Sequence, residues 1–500
     1  MLSKPQRQFA DRISEIINCN PFLPDRIELE RLALGSEFVE SGASWNSHPS
    51  QHKESPNLER MLHRAEEILE SASTSGSTRI AINDEELDLY LDLVRFVLFN
   101  RYRDELRALA TDNRKPAAAY AKFRDDWLKY CPPDQVPEEV TATIPHIFAL
   151  LSQIRRAFNN IFENLIGSSD VIIELRAHVW QSIFTHDVRR YYSAMFMAMA
   201  DFPTLITGPT GSGKELVARA IGQSGYVPFD PDTGKWETPI DKLFVSLNLS
   251  ALSPTLIESE LFGHTKGAFT GATSDRIGWL EACPRYGAVF LDEIGELAPE
   301  IQVKLLRVVQ DRTFQPLGDT RAKQFQGRII AATNRDLAQE IQNERFRLDF
   351  YYRLCADQIV TPSLAERWAK DKSEIRHLVD HLLLRIIPKN QQADLADECI
   401  AWIHQHLGSQ YAWPGNVREL DQCLRSWLIR KDYQPLERPA NDSCNVGAAL
   451  SGANMTADEL TSLYCKISYE RTGSYVKTAD QLGLDRRTVK ARVHPAEKSE

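Results

Sequence analysis

Cysteine is sparse and scattered: the eight residues, running from Cys19 to Cys465, include no C-x-x-C pair. That spacing argues against a zinc site or a disulfide framework and suits a reducing compartment. Long apolar runs are also missing. The longest, at residues 191–200, is too short to cross a bilayer. The opening segment MLSKPQRQFADRISEI is polar and amphipathic, not a signal peptide. No membrane partner and a cytoplasmic location are therefore expected. Net basic charge is absent too: 59 Lys and Arg against 69 Asp and Glu give −10. Any contact with nucleic acid must come from a local patch.

What is present is enough apolar sequence, 43% of 500 residues, for several folded units. Residues 1–165 read as helical, with apolar residues at helical spacing in 58–69, 87–109 and 144–166. Ser-rich polar stretches at 37–55 and 71–77 read as loops. This region has no alternating strands and no acidic cluster of the kind that receives a phosphoryl group. A ligand pocket, a partner surface and an oligomerisation domain all stay open for it. Over residues 166–362, short apolar runs (204–207, 243–248, 288–291, 328–332) alternate with helix-like segments. That is the pattern of an α/β fold, a parallel sheet with helices on both faces. A polar stretch at 225–241, with Asp232, Thr233 and Gly234 as its turn, reads as a surface excursion. Residues 363–432 read as a helical lid, 433–455 as a Pro-, Asn-, Ser- and Gly-rich linker, and 456–500 as a compact helical end.

The chemistry centres on LITGPTGSGKE. A short strand runs into Gly208, Pro209, Thr210, Gly211, Ser212, Gly213 and Lys214, and a helix follows. The spacing is G-x-x-x-x-G-K. Glycines let the backbone N–H groups curl inward, the helix N-terminus adds partial positive charge, and Lys214 can reach terminal phosphates. Glu215 stands where the general motif has Ser or Thr. Downstream, the apolar run 288–291 ends in Asp292 and Glu293, at the sheet edge where ligands bind. Asp292 suits Mg²⁺ held through water, and Glu293 suits polarising an attacking water. Thr333 and Asn334 end another strand, and Asn248 a third, all at that edge.

These residues resemble the AAA+ ATPases that activate bacterial sigma-54 RNA polymerase. The most specific piece is the complete hexapeptide Gly267, Ala268, Phe269, Thr270, Gly271, Ala272. The resemblance implies a mobile loop that touches the sigma factor, with Phe269 and Thr270 at the contact. Glycines at both ends suit hinges, and Phe269 is expected as an exposed aromatic anchor. The resemblance covers about residues 166–430 and resumes at the C-terminus. It implies that residues 208–215, Glu215 included, bind ATP. Asp292 and Glu293 become the Mg²⁺ and water carboxylates, and Asn248 the residue that holds the catalytic Glu inactive. Thr333 and Asn334 match a first sensor. Arg347 and Arg353 match arginine fingers that reach a neighbour's nucleotide, which requires a homo-oligomeric ring, a hexamer for preference with a heptamer open. Arg418 matches a second sensor in the lid. One departure stands at Ala365, where the family usually carries Arg.

At the C-terminus, a helix ends at Gly483 and Asp485 can cap the next, which carries Arg486, Arg487, Thr488, Lys490 and Arg492. This resembles a Fis-type helix-turn-helix. Arg486, Arg487 and Lys490 are the candidates for base edges in double-stranded DNA. The function implied is remodelling of the sigma-54 polymerase–promoter complex by a DNA-bound ATPase ring. Two alternatives are a DNA-binding regulator that hydrolyses little, and an AAA+ machine for another client.

Overall fold

Strands expose alternate side chains on opposite faces, and here each face carries its own core. The computed structural model describes residues 2–40, 56–74, 83–111, 116–388, 392–408, 411–436 and 456–493. Five parallel strands lie in the order β4-β5-β8-β1-β9: β1 Thr204–Thr207, β4 Phe244–Asn248, β5 Ala288–Asp292, β8 Arg328–Thr333 and β9 Asp357–Val360. Two short hairpins, β2–β3 (Phe229–Asp230 with Lys235–Trp236) and β6–β7 (Thr313–Phe314 with Lys323–Gln324), lie outside this sheet. Four strands are where the apolar runs place them. β9, DQIV, has only two apolar residues and escapes a reading by hydrophobic run.

One face of the sheet buries Leu205, Val289, Leu291, Ile329 and Ala331 with α12 (Pro254–Phe262), α14 (Pro299–Asp311) and α16 (Leu348–Leu354). The opposite face buries Ile206, Phe290, Ile330 and Ala332 in a cluster that runs on without interruption to Phe9. That cluster takes in the N-terminal helices: α1 (Lys4–Asn18), α2 (Asp25–Leu34), α3 (Pro56–Thr74), α4 (Asp84–Arg101), α5 (Arg103–Thr111), α6 (Pro116–Tyr130) and α8 (Ile144–Asn164). The helix expected over 87–109 is two helices, because Tyr102 leaves helical geometry at φ −92°, ψ 16°. α3 runs through Thr74, past the expected loop start. Residues 41–55 of the first Ser-rich loop and 75–77 of the second lie outside the described residues.

The 225–241 stretch is not the surface excursion it resembles. Asp230 and Gly234 close a tight turn between β2 and β3, and Phe229 and Trp236 turn inward. Trp236 stacks on Phe148 of α8 with ring centres 5.7 Å apart, and Phe229 meets Tyr120 of α6 at 4.7 Å. Two aromatic residues among many polar ones decide where the hairpin packs.

α8 also holds the end of the helix that follows the phosphate loop, α11 (Lys214–Gly222). Gln153 donates to the Ser224 carbonyl at 2.9 Å, Arg156 to the carbonyls of Gln223 and Gly225, and Asn160 to Ser224 Oγ at 3.1 Å. Those carbonyls lie beyond the last helical turn and would otherwise lack partners.

The helical lid comprises α17 (Leu364–Lys370), α18 (Glu374–Leu384), α19 (Gln392–His406) and α20 (Asn416–Arg430). Ser363 starts α17 in a capping box with Glu366. Arg367 then turns inward to the buried Glu374 at 2.7 Å, and Glu374 accepts the N–H groups of Ser168 and Ser169. The chain divides into two compact units, Met1–Asp432 and Tyr433–Glu500. The expected linker at 433–455 lies outside the described residues from 437 onward. In the second unit, α21 (Ala457–Thr472), α22 (Tyr475–Leu482) and α23 (Arg486–Val493) pack on one another.

Arg367→Ala leaves Glu374 buried and unpaired, and should destabilise the first unit by about 3–5 kcal/mol in denaturant titration. Burial pushes the Glu374 carboxyl up, but Arg367 and Ser169 outweigh it and hold the group below the usual glutamate range. Its stabilising share is therefore present above the unfolded-state pKa and lost as pH falls through the folded-state one. The melting temperature should fall less steeply below pH of about 4 in Glu374→Gln than in the parent chain.

Candidate functional site

The C-terminal ends of β1, β4, β5 and β8 share one edge of the sheet. Register sets Thr207 beside Thr333 and Asn248 beside Asp292. Into this edge β1 delivers the loop 208–213. Gly208 has φ +148°, and a Cβ there would sit 2.2 Å from Thr361 Oγ1. Gly211 has φ +77°, and its Cβ would meet the Gly415 carbonyl at 2.3 Å. Neither position admits another residue without moving backbone. Gly213 caps α11 in left-handed geometry at φ +98°. Ser212 donates to the Pro209 carbonyl and pairs with Thr361 at 2.6 Å, tying the loop to the end of β9.

Lys214 is buried and folds over the loop, donating to the carbonyls of Gly208 (3.0 Å) and Pro209 (3.3 Å). Burial pushes its ammonium down, while Glu293 and Asp292 push the other way. Glu215 is exposed and pairs with Arg219 one turn on. Asp292 is half-buried, and burial raises its carboxyl above the usual range. A cation beside it would offset that cost. Among the described residues there is no cluster of three ligand side chains. A divalent ion here would therefore draw most of its ligands from water and phosphate, as Mg²⁺ does.

Glu293 takes left-handed backbone geometry at φ +57°, and its Oε2 accepts the N–H of Asn334 at 3.3 Å. A non-glycine residue held at positive φ signals a strained, fixed position. Asn334 Nδ2 donates to Thr210 Oγ1 at 2.7 Å, so one residue touches both the carboxylate and the loop. Thr333 is buried and caps the turn after β8. Asn248 reaches the same edge, but its carboxamide oxygen accepts from the N–H and hydroxyl of Ser250, not from a group on Glu293.

The lid closes from the other side. Arg418 is exposed above the loop, its Cβ 3.3 Å from where a Gly211 Cβ would be. Asn416 carries more of the contact. Its Nδ2 donates to the Thr210 carbonyl at 2.9 Å, its Oδ1 accepts the Leu364 N–H at 2.7 Å, and the Val417 N–H donates to Gly211 O at 3.1 Å. Asn416 and Thr361 were not singled out from sequence. Asn416 adopts φ +52°, which Asn tolerates better than most residues. Its place after Trp413-Pro-Gly was the available hint.

Arg347 stands just before α16 and Arg353 near its end, and both are exposed. Arg347 forks onto Asp349 at 2.7 and 3.0 Å. Arg353 is exposed with no ion-pair partner among the described residues. The hexapeptide loop leaves the body on a stem in which His264 pairs with Arg276 and Leu317. Its tip is closed by the Gly267 N–H on Ala272 O at 2.9 Å. Gly267 and Gly271 have φ +85° and +104°, with open space where a Cβ would be. Thr270 is exposed. Phe269 departs from the exposed anchor expected of it: the ring folds back edge-on to His264 at 5.0 Å and is partly covered. An unaccompanied phenyl in water finds the nearest apolar surface.

In the second unit, Gly483 ends α22 in left-handed geometry, and the Asp485 carboxylate accepts the Arg487 N–H at 2.8 Å. Arg486, Arg487 and Lys490 are exposed, and Thr488 is half-buried. Arg492 is drawn to Asp458 on α21 at 2.9 Å, which turns it toward its own unit.

The strand order, the glycine-rich loop after β1 and the lid above it define an AAA+ core. Residues 185–360 match the Sigma-54 interaction domain family. The chain is 39% identical over 262 residues to a Nif-specific regulatory protein of Herbaspirillum seropedicae, covering 52% of this chain and 42% of that one. It is 37% identical over 303 residues to the transcriptional regulatory protein ZraR of Salmonella typhimurium, covering 59% and 64%. It is 41% identical over 233 residues to the anaerobic nitric oxide reductase transcription regulator NorR of Klebsiella pneumoniae, covering 47% and 41%. The chain thus spans about half the length of the curated relatives it matches.

Asn416→Ala removes the bridge between loop and lid, stranding the buried Leu364 N–H at a cost of about 1–3 kcal/mol. Amide exchange at Leu364 should quicken while exchange within β1 and β8 stays unchanged.

Proposed function

We propose that the chain is a sigma-54-dependent transcriptional activator. A ring of copies hydrolyses ATP and uses the energy to remodel the sigma-54 RNA polymerase closed complex into the open one. The observation that carries this is the intact hexapeptide on its own stem, projecting from the same unit that holds the phosphate loop, Asp292 and Glu293.

The proposed division is a helical region (1–165), the α/β core (166–362), the lid (363–432), a linker (433–455) and a DNA-binding end (456–500). Residues 208–215 take the triphosphate, with loop N–H groups and Lys214 on its oxygens. That exchanges the carbonyls Lys214 now touches for a better-matched anion. Asp292 would hold Mg²⁺, which neutralises charge on the transferring phosphoryl group. Glu293 orients and polarises the attacking water. Its bond to Asn334, and through Asn334 to Thr210, makes its position sensitive to what fills the loop. Asn248 belongs to the same relay, its Nδ2 donating to the Glu293 carboxylate in one of its two states. Arg347 and Arg353 complete the site of the adjacent copy, and the Arg347 fork must leave Asp349 to do so. Arg418 reads phosphate from the lid. Gly267 and Gly271 let the loop swing, and Phe269 leaves His264 for the sigma factor. Nucleotide must bind the two loop positions unequally for this to happen. Arg486, Arg487 and Lys490 hold double-stranded DNA, with Thr488 and Arg492 in support.

ATP turnover per chain should rise with chain concentration, because each site borrows arginines from a neighbour; turnover independent of concentration contradicts the ring. Phe269→Ala should keep its ATPase within about twofold and lose promoter opening by at least about tenfold. Retained opening removes the role given to the loop. Glu293→Ala should bind ATP and hydrolyse it about 100-fold more slowly.

A further inference from the structure

The helical region contains a cavity of about 410 Å³ whose walls include none of the residues assigned above. Phe96 and Phe99 of α4, Leu151 and Phe158 of α8 and Trp180 line it with carbon. Charged side chains reach the walls too, with two carboxylates, Asp104 and Glu163, outnumbered by arginines, and of these Arg155 has no ion pair among the described residues. The Arg155 guanidinium lies over Phe99 at 4.6 Å and near Phe158 at 6.0 Å. Its Nε is shut off from solvent without a hydrogen-bond partner, and no carboxylate among the described residues reaches ion-pair distance. The neighbouring arginines are better served. Arg95 pairs with Asp92 at 2.7 Å, and Arg107 and Arg103 lie 3.8 Å from Glu163 and Asp104.

A guanidinium taken from water without an anion is costly, and it is rarely kept where nothing fills the role. Its forked donors match a carboxylate. Apolar walls and a volume within the usual range for small ligands ask for a compact hydrocarbon body. We infer that this cavity binds a small organic acid, its ring-bearing body between Phe99, Leu151 and Phe158 and its carboxylate on Arg155. α8 carries Arg155 and Phe158 toward the cavity and Gln153, Arg156 and Asn160 toward residues 223–225, just past the end of α11. An occupant therefore presses on the helix that grips the phosphate-loop helix. An effect on hydrolysis rests on the proposed ATPase; binding itself does not.

The test is calorimetric titration of the full chain with 2-naphthoate, with 2-naphthalenemethanol as its neutral counterpart, and of Arg155→Met with the acid. The acid should bind saturably, one per chain. The alcohol, and the acid on Arg155→Met, should each bind at least about tenfold more weakly. Equal affinity for acid and alcohol overturns the inference, as does unchanged binding by Arg155→Met. So does no saturable binding of the acid up to about 1 mM. Removing an unpaired, half-buried charge should not unfold the chain, and circular dichroism of the variant checks this. Should it fail to fold, the acid and alcohol on the parent chain decide alone.

Discussion

Backbone crowding around the phosphate loop is the constraint on which the remainder of the site depends. Gly208 leaves no room for a side chain against Thr361, and Gly211 none against Gly415. The first contact fixes the loop to the end of an outer strand, the second to the lid. Asn416 then bonds the loop and the start of α17 at once. A change in what the loop holds is therefore felt at β9 and in the lid. Glu293 belongs to the same set through Asn334 and Thr210. These are short, directional contacts between rigid elements, the kind that convert sub-ångström shifts into two alternative arrangements.

A second constraint reaches the loop from behind. The N-terminal helices bury one face of the sheet in a cluster continuous from Phe9 to Ile359. Through Gln153, Arg156 and Asn160 they also hold the carbonyl end of α11. The phosphate loop begins that helix and α8 grips its far end. An occupant of the Arg155 cavity and a nucleotide at the loop would thus act on opposite ends of one helix.

Sequence made the sheet's four apolar strands legible, because each is a continuous hydrophobic run bounded by polar residues. The phosphate loop, Asp292 with Glu293 and the hexapeptide were legible because each is contiguous and its spacing is dictated by chemistry. What stayed hidden was set by contacts distant in sequence. β9 has too few apolar residues to announce itself. The 229–236 hairpin reads as polar because only Phe229 and Trp236 turn inward. Phe269 reads as exposed until His264 is placed beside it. Asn416 and Thr361 are ordinary polar residues until the lid and β9 meet the loop. Arg492 looks like its neighbours on a basic helix, yet Asp458 claims it.

The most direct test of the account is capture of purified sigma-54 by the full chain, with and without an ADP–aluminium fluoride mimic of the hydrolytic transition state. The account predicts a stable complex only when the mimic is present, and none with Phe269→Ala under the same conditions. Equal capture without nucleotide, or undiminished capture by Phe269→Ala, would contradict it.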